Sequence, residues 1–307
     1  MKQQKIIVIG SSNTDMVLKS SHLPLPGETV IGGRFTMNPG GKGANQAVAA
    51  ARLGGHIVFI ARVGKDLFGE QAIQAFQKHG IDTRFISKDE KEASGVALIM
   101  VDDHGENSIA VALGANGTLN KKNITPALPE IKESAFVLTQ LESPMQTVEY
   151  LGKLAQKNDL KLVLNPAPAQ PLSDELLASL HIITPNQIEA ELLSGTKVSD
   201  ESSARIAAGA LRKKGVDIVI ITMGSKGAFV QSDTINELIP SPKVQVVDTT
   251  AAGDTFNGAL LVALAEGKDL KSAVAFANSA AAYAVGILGA QASAPLRKDI
   301  KTSTKID

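Results

Sequence analysis

The chain has 307 residues, a formal net charge of zero and no basic block, which argues against nucleic acid or an anionic membrane surface as its main partner. It contains no cysteine, so disulfides, thiolate catalysis and cysteine-ligated zinc are excluded. Its apolar runs are too short for a signal peptide or for the ~18 residues of a membrane span, so we expect a soluble cytoplasmic protein.

Strand-like and helix-like segments alternate along most of the chain. The strand candidates are mostly continuous apolar runs rich in Ile and Val, as in strands that are buried on both faces of a parallel sheet. They lie at 5–10, 56–64, 135–141, 161–166, 181–186 and 217–224, and helical patterns lie at 42–53, 66–79, 144–156, 186–194 and 202–214. This alternation predicts an α/β fold, a three-layer α/β/α sandwich with a mostly parallel central sheet.

Two segments, 14–36 and 94–112, have an extended character and no helical pattern. The second contains the turn cluster "DDHGEN" between two strand-like runs. We expect these segments to form a small antiparallel β lid, inserted in a single domain that spans residues 1–307. The polar tail from residue 297 onward is expected to fray.

Polar residues and glycines follow several of the predicted strands. Ligands of open parallel sheets bind beyond the carboxyl ends of the strands. The residues at those ends are Ser11, Ser12, Asn13, Asp15, Glu142, Asn165, Asn186, Glu189, Thr222, Gly224, Gly227, Asp248 and Asp254. A single Asn or Asp after a strand is usually a helix cap or a turn residue. Several of them at one edge of one sheet predict a binding site.

The stretch "NPGGKGANQAVAAARLGG" predicts a helix that begins near Gly41 and Lys42, because small apolar residues recur there at helical spacing. Three glycines fall in its first turn, and each costs a helix about 1 kcal/mol. One explanation is that a ligand approaches the bare backbone, with Lys42 and Asn45 both able to address a polyol. The alternative is a tight loop that packs against the sheet.

The stretch "VVDTTAAGDTFNGALL" (246–261) predicts a strand followed by a helix that begins near Gly253 or Asp254. The small residues before the helix leave its first N–H groups uncovered, and with the helix dipole they suit a transferring phosphoryl group. The dipole also favours the ionised form of Asp254, which could therefore accept a proton at neutral pH. The plain alternative for Asp254 is a helix N-cap.

Several familiar motifs are absent. The chain has no GxxxxGK[ST] phosphate loop, no GxGxxG after its first strand, no GxSxG and no HExxH. Its five histidines are scattered. A dinucleotide-dependent oxidoreductase is therefore disfavoured.

The segments "GGKGANQAVAAARLG" (40–54) and "DTTAAGDTFNGAL" (248–260) resemble the two signatures of the ribokinase-like (PfkB) carbohydrate kinases. Six shorter motifs extend the resemblance over essentially the whole chain, namely "GSSNTD" (10–15), "PGET" (26–29), "QLESP" (140–144), "LNPAPA" (164–169), "TPNQIEAE" (184–191) and "GAQAS" (289–293). The resemblance implies ATP-dependent phosphorylation of D-ribose at the 5-hydroxyl. It also implies Mg²⁺ with ATP, K⁺ as an activating monovalent cation, and a homodimer formed through the lid.

The resemblance further implies roles for individual residues. The sugar would be held by Asn13, Asp15, Gly41, Lys42, Asn45 and Glu142, with Asp254 as the base and the backbone of Ala251, Ala252 and Gly253 as the anion hole. The nucleotide would contact Asn186, Thr222, Gly224, Ser225, Lys226, Gly227, Gly253 and Asn278. A monovalent cation would lie near Asp248, Thr250, Ala284, Ile287, Gly289 and Ser293, and Glu189 would act indirectly on Mg²⁺. Two positions depart from the family pattern: Asn278 stands where a His is frequent, and "GILG" (286–289) replaces a more basic segment.

Two kinds of alternative stay open. A kinase of the same fold could act on deoxyribose, fructose, a nucleoside or a sugar phosphate. Lys42 is the one obvious cation at the sugar site and Phe35 the one aromatic residue in the lid segments, which favours a small neutral sugar. A non-catalytic sugar-binding regulator would be expected to have lost Asp254 or Gly253, and the chain has both.

Overall fold

The computed structural model describes residues 4–300. Its strands are β1 (Lys5–Ile9), β2 (Asn13–Lys19), β3 (Arg34–Gly40), β4 (His56–Gly64), β5 (Ile86–Asp89), β6 (Gly95–Val101), β7 (Asn107–Ala112), β8 (Phe136–Thr139), β9 (Leu162–Leu164), β10 (Ile182–Ile183), β11 (Ile218–Thr222), β12 (Ala228–Gln231) and β13 (Asn236–Ile239). Its helices are α1 (Lys42–Arg52), α2 (Leu67–Lys78), α3 (Lys121–Ile124), α4 (Leu128–Lys132), α5 (Met145–Asn158), α6 (Asp174–Leu177), α7 (Gln187–Ser194), α8 (Glu201–Lys213), α9 (Ala252–Ala265) and α10 (Leu270–Ala284).

The central sheet has nine strands in the order β13-β12-β11-β10-β9-β8-β1-β4-β5. The seven strands from β11 to β5 run parallel, and β12 and β13 add an antiparallel edge. Alternate residues of β1 point to opposite faces, so Ile6 and Val8 join one apolar cluster while Ile7 and Ile9 join the other. Helices α1, α2, α9 and α10 cover the first face, and α3 to α8 cover the second. The predicted three-layer sandwich is confirmed.

A second sheet of four strands, in the order β3-β2-β6-β7, forms the lid. It consists of two antiparallel hairpins, β2–β3 and β6–β7, as the sequence predicts. Its central pair, β2–β6, is parallel, which the expectation of an antiparallel lid did not include. The reason is that each hairpin leaves the core by its first strand and returns by its second, so the two first strands run in the same direction.

Three further details differ from the sequence-based expectations. No strand is present at 246–248, where extended chain instead donates from the Val247 and Asp248 backbone to the Val285 carbonyl. The antiparallel edge β12–β13 and the helix α10 were not predicted. The short 3₁₀ turn Arg297–Asp299 lies in the expected frayed tail, and residues 301–307 of that tail lie outside the described residues.

Across residues 4–300, no helix combines the length and the apolar character that a membrane span requires.

Candidate active site

The glycines at the start of α1 let this helix approach the chain that follows β1. A Cβ on Gly41 would lie 2.7 Å from the Asn13 nitrogen, and one on Gly43 would lie 2.7 Å from the Gly10 carbonyl carbon. Gly41 also has a φ of 88°, which disfavours any residue with a side chain. Close packing of backbone on backbone therefore accounts for these two glycines, as the alternative interpretation proposed.

Glu142 supplies the carboxylate that the start of α1 lacks. The N-cap residue Gly41 makes no side-chain cap, but the Lys42 backbone N–H donates to Glu142 Oε2 at 3.0 Å. The Ser11 hydroxyl donates to the same oxygen at 2.5 Å. An acceptor placed at a helix N-terminus stabilises the helix. Of the three glycines predicted in the first turn, only Gly43 lies within the helix, and the contact offsets part of its cost and fixes Glu142 beside Lys42.

Asp15 lies on β2 at the lid side of the site. A Cβ on the neighbouring Gly40 would lie 2.2 Å from both carboxylate oxygens of Asp15, so glycine makes room for that side chain. Burial raises the pKa of Asp15 to about 6, the negative charges of Glu142 and Asp254 add to this rise, and the positive charge of Lys42 opposes it.

Asn13, at the first position of β2, is buried and tied to the core. Its Oδ1 accepts from the Asn116 Nδ2 at 2.8 Å. Asn116 also accepts from the Ser12 backbone N–H at 2.9 Å and is itself almost fully buried. A buried amide with several partners rigidifies the chain around it, so the turn from the core into the lid is fixed at this point.

Asp254 lies in the first turn of α9, beside an open backbone surface. The helix begins at Ala252, and the N-cap residue Ala251 has a left-handed φ of 58° and makes no side-chain cap. A Cβ on Gly253 would meet no atom within 4 Å, so Gly253 borders open space. Asp254 does not cap the helix, and the plain N-cap alternative is wrong. The Ala252 N–H donates to the Thr249 carbonyl at 3.3 Å, so the open side of the first turn lies at Gly253, beside the Asp254 carboxylate.

The Asp254 carboxylate is buried and receives two hydrogen bonds from α1. Asn45 Nδ2 donates to Oδ2 at 3.0 Å, and Gln46 Nε2 donates to Oδ1 at 2.9 Å. Burial raises the pKa of Asp254, and the positive charge of Lys42 and the two amide donors counter part of that rise. The expectation of an ionised form favoured by the dipole alone left out the larger effect of burial.

Further buried amides surround these two donors, and of these the sequence-based interpretation included only Asn165, as a polar residue at a strand end. Gln140 Nε2 donates to Gln46 Oε1 at 2.5 Å, and Gln46 Nε2 also donates to Asn165 Oδ1 at 3.0 Å. Gln291 Nε2 donates to Asn45 Oδ1 at 3.2 Å. Gln46, Gln140 and Gln291 all fall inside the quoted motifs, and a polar side chain on the buried side of a predicted helix is the one signal that points to Gln46.

Asn186 and Glu189 form a reciprocal capping box at the start of α7. The Asn186 side chain accepts from the Glu189 backbone at 2.9 Å, and Glu189 Oε2 accepts from the Asn186 backbone at 2.8 Å. Burial raises the pKa of Glu189, and the bond from the Asn186 backbone counters part of that rise. The pair therefore has a structural role at the carboxyl end of β10, next to Thr222, with which Asn186 forms a bridge.

The turn after β11 carries the other residues expected at the nucleotide. Gly224, Ser225 and Lys226 form an exposed 3₁₀ turn, and the Lys226 ammonium donates to the Ser199 carbonyl at 2.6 Å. A Cβ on Gly227 would lie 2.1 Å from the Ile239 carbonyl oxygen, so a glycine is required here by close packing against the end of β13.

Asn278 of α10 is buried below the same edge of the sheet. Its Nδ2 donates to the Ile239 carbonyl at 2.9 Å and to the Pro240 carbonyl at 3.2 Å. The side chain thus ties α10 to the end of β13.

Asp248 joins two loops of the expected cation site. Its Oδ1 accepts from the Thr250 N–H and its Oδ2 from the Gly289 N–H, each at 2.9 Å. Burial alone would raise the pKa of Asp248, but the bonds from Thr250 and Gly289 outweigh it and hold the pKa below its ordinary value. The carboxylate is therefore ionised at neutral pH.

The remaining residues expected at the cation lie along the same chain. Ala284 ends α10, the Ile287 N–H donates to its carbonyl at 3.0 Å, and the buried Ser293 donates to the Ala290 carbonyl at 2.8 Å. Within residues 4–300 there is no cluster of three or more His, Cys, Asp or Glu side chains that could hold a metal. A cation site built from carbonyl oxygens, as the resemblance implies, does not require one.

Comparison with known proteins shows which family the chain resembles over its length. The model of the pfkB family of carbohydrate kinases matches residues 3–297. The chain is 46% identical to the ribokinase of Haemophilus influenzae over 297 residues, which cover 97% of each chain. It is 35% identical to the deoxyribokinase of Salmonella typhi over 291 residues, covering 94% of this chain and 95% of that protein. The structure of Arabidopsis thaliana ribokinase complexed with ribose and ATP superposes with a TM-score of 0.88 at 32% identity, covering 98% of both chains.

The raised pKa of Asp15 predicts that Asp15→Asn stabilises the protein at neutral pH. The folded carboxyl titrates at about 6 and an ordinary one at 3.8, so ionisation between these values disfavours the folded state and stability falls as pH rises. By urea denaturation, we expect a gain of about 1–2 kcal/mol at about pH 7.5 that shrinks as the pH falls below 6 and is lost below 3.8.

The matched control is Asp103→Asn in the exposed turn of the lid. It should change the free energy of unfolding little at either pH. A pH-independent effect of Asp15→Asn would contradict the assignment of its titration to the folded site.

Proposed function

Since the chain belongs to the pfkB family of carbohydrate kinases, we propose that it transfers the γ-phosphoryl group of ATP to the 5-hydroxyl of D-ribose, giving D-ribose 5-phosphate. Its similarity to proteins named ribokinase over nearly their full length supports ribose as the acceptor. The observation that carries the proposal is the Asp254 carboxylate, which is held by two amides beside the open N-terminus of α9. A cytoplasmic location stays a prediction that cell fractionation can check.

Asp254 would act as the general base. Asn45 and Gln46 each donate one hydrogen bond to its carboxylate, which leaves lone pairs on both oxygens for the proton of the attacking hydroxyl. The raised pKa strengthens it as a base. Because the base works in its ionised form, activity is expected to fall as pH falls through that pKa.

The first turn of α9 would hold the transferring phosphoryl group. The Gly253 N–H lies at the positive end of a 14-residue helix and borders open space, whereas the Ala252 N–H already donates to the Thr249 carbonyl at 3.3 Å and would have to be shared with the phosphoryl group. Fixed N–H donors stabilise the charge that develops on phosphoryl oxygens without reorganising during the reaction. The left-handed backbone of Ala251 sets the direction of this turn.

The sugar would bind between the lid and the start of α1. Asp15 and Asn13 come from β2, Lys42 and Asn45 from α1, and Glu142 from the loop after β8. Carboxylates and amides at several sides suit a neutral polyol, whose hydroxyls both donate and accept. Gly41 contributes by letting α1 approach β2, and its own contact with sugar stays a prediction.

The nucleotide would lie along the carboxyl ends of β10 and β11. The exposed turn of Gly224, Ser225 and Lys226 offers backbone and hydroxyl groups, with Asn186 and Thr222 beside it. Asn278 and Gly227 support the neighbouring strand end, so we infer that they shape the nucleotide site from beneath.

Bound cations would balance the charge of this site. Asp15, Glu142 and Asp254 are close enough for the negative charges of Glu142 and Asp254 to raise the pKa of Asp15, and the positive charge of Lys42 lowers the pKa of both Asp15 and Asp254. When bound with ATP, Mg²⁺ would neutralise charge between the β- and γ-phosphates. Glu189 would act only indirectly, since it is buried and both its oxygens accept from Asn186.

We infer that a monovalent cation, normally K⁺, is held near Asp248. The ionised Asp248 links the loop before α9 to Gly289, and the residues expected around the ion include Thr250, Ala284, Ile287 and Ser293. An ion there would fix the shape of the loop that leads into the anion hole. Carbonyl oxygens suit such an ion, so the changed side chains of the 286–289 segment do not argue against it.

The outer face of the lid supports a homodimer. The strand register aligns Met16 with Met37 and Leu98, and Leu18 with Phe35 and Met100, on the face opposite Asp15. Phe35, Met37 and Leu98 are each more than 50% exposed. An apolar face of this kind on a small sheet favours a partner, and we propose that a second copy of the chain covers it.

A coupled ADP-release assay across pentoses, hexoses and nucleosides tests the reaction. D-ribose should support turnover that chelation of Mg²⁺ abolishes, and 2-deoxyribose, the substrate named for one relative, is the competing acceptor. Asp254→Asn should keep the fold and ATP binding but lose most turnover. Retention within about tenfold, or ~1.4 kcal/mol, would show that Asp254 is not the base. A panel without sugar-dependent ADP release would reject the kinase proposal.

The cation proposal predicts a dependence on the identity of the monovalent salt. Replacing K⁺ by Na⁺ at constant ionic strength should lower the rate, and Asp248→Asn in K⁺ should show a similar loss. The asparagine variant serves to separate a specific site from a general salt effect. An equal wild-type rate in both salts would remove the cation site.

The dimer proposal predicts a change of mass by sedimentation equilibrium. Wild type should sediment as a dimer, and Leu98→Glu, which buries a charge in the proposed interface, should sediment as a monomer. Ile206→Glu on α8 makes the same kind of change at an exposed residue outside the lid and should leave the dimer intact. A monomeric wild type would contradict the proposal.

A further inference from the structure

We propose that Gln46 is a positioning residue that holds the Asp254 carboxylate in the orientation and protonation state the base requires. The inference rests on the proposed kinase function and adds to it a residue that donates a hydrogen bond to the base. Gln46 lies on α1 and is fully buried. Its amide nitrogen lies 2.9 Å from Asp254 Oδ1.

The orientation of the Gln46 amide is fixed at both ends. Its Oε1 accepts from Gln140 Nε2, and its Nε2 donates both to Asp254 and to Asn165 Oδ1 at 3.0 Å. A carboxamide has two donors and one acceptor oxygen, and each kind of group is used here. If the amide turned over, its oxygen would face the carboxylate and the Asn165 oxygen, so the donor must point toward the base.

Gln140 indicates that this orientation is imposed at a cost. Its own Oε1 is buried and has no hydrogen-bond partner within residues 4–300. An unpartnered buried acceptor is destabilising, and such exceptions are uncommon in native structures. Turning the Gln140 amide over would place its oxygen against Gln46 Oε1. The arrangement therefore keeps a donor on Gln46 at the expense of the Gln140 oxygen.

The same amide network reaches the backbone of the proposed anion hole. Asn165 donates to the Thr184 carbonyl at 3.2 Å, and the Thr184 hydroxyl donates to Asn257 Oδ1 at 2.7 Å. Asn257 Nδ2 in turn donates to the Gly253 carbonyl at 2.8 Å. One connected set of buried polar groups thus fixes the base and the first turn of α9 relative to each other.

The effect on the base has a definite sign. A hydrogen bond donated to a carboxylate stabilises its charged form, so the Gln46 donor holds the Asp254 pKa below the value that burial alone would produce. Removing the donor should raise the pKa further and leave more of the base protonated near neutral pH. It should also free the carboxylate to rotate away from the attacking hydroxyl.

The test is Gln46→Met, which keeps the length of the side chain and removes its donors. We expect kcat with ribose to fall roughly 10- to 100-fold while the ribose KM changes less than about threefold. The acid limb of the kcat/KM profile, which reports the free enzyme, should move to higher pH by about one unit. When Asp254→Asn is also present, Gln46→Met should have little further effect on kcat, because both changes act on one base.

Gln231→Met is the matched control, since it makes the same chemical change in β12, opposite Val219 and away from the carboxyl end of β11. It should leave kcat, KM and the acid limb unchanged. Gln140→Met should move the acid limb in the same direction as Gln46→Met but less far, and it carries the test if circular dichroism shows that Gln46→Met does not fold.

The outcomes separate this inference from the function it rests on. An inactive wild type rejects the kinase proposal itself. An active wild type with an unchanged acid limb in the folded variant, or with a ribose KM that rises as much as kcat falls, overturns the positioning role of Gln46 alone.

Discussion

The burial of the Asp254 carboxylate at the contact of α1 with α9 is the constraint on which the site depends. Ionised groups are costly to remove from water unless they are hydrogen-bonded, and here the two donors come from adjacent residues of α1. The helices must therefore pack closely. Gly258 of α9 makes this possible, since a Cβ there would lie 2.8 Å from the Ala50 nitrogen of α1. The base, the sugar residues of α1 and the free N-terminus of α9 are placed by one helix contact.

The other acids of the site extend the same argument to the lid. Asp15 is half-buried, and its pKa rises to about 6 through burial and the charges of Glu142 and Asp254. Lys42 offsets only part of this repulsion. In the free protein the carboxylates therefore repel one another. A bound polyol and bound cations would reduce this repulsion, because hydroxyl donors and positive charge both stabilise carboxylates. Sites of this kind lose folding stability in exchange for ligand binding. Here the loss arises from the buried, repelled carboxylate of Asp15 on β2.

The local patterns of the sequence predicted most of the longer helices and the parallel strands, though not α10, and also the lid segments and the position of Asp254, because each depends on neighbours in the chain. The amide network was missed because its contacts join distant segments: Gln46 meets Gln140 across 94 positions and Asp254 across 208. The strand expected at 246–248 is wrong because the Val247 and Asp248 N–H groups donate to the Val285 carbonyl and not to a neighbouring strand, which leaves Val246 and Val247 exposed. The sequence alone left ligand approach and packing as explanations of the α1 glycines; the Gly41 and Gly43 contacts give both a packing role, and a sugar contact at Gly41 stays a prediction.

The choice of carboxamides around Asp254 follows from what a base must do. A cationic side chain hydrogen-bonded to the carboxylate would lower its pKa strongly and weaken it as a base, whereas burial without donors would keep it protonated at neutral pH. Neutral donors from Asn45 and Gln46 stabilise the anion without a full opposing charge, and Lys42 acts on it through its charge. Because each amide is fixed by a second amide, Gln291 for Asn45 and Gln140 for Gln46, the balance between burial and donation is built into the folded core before substrate binds.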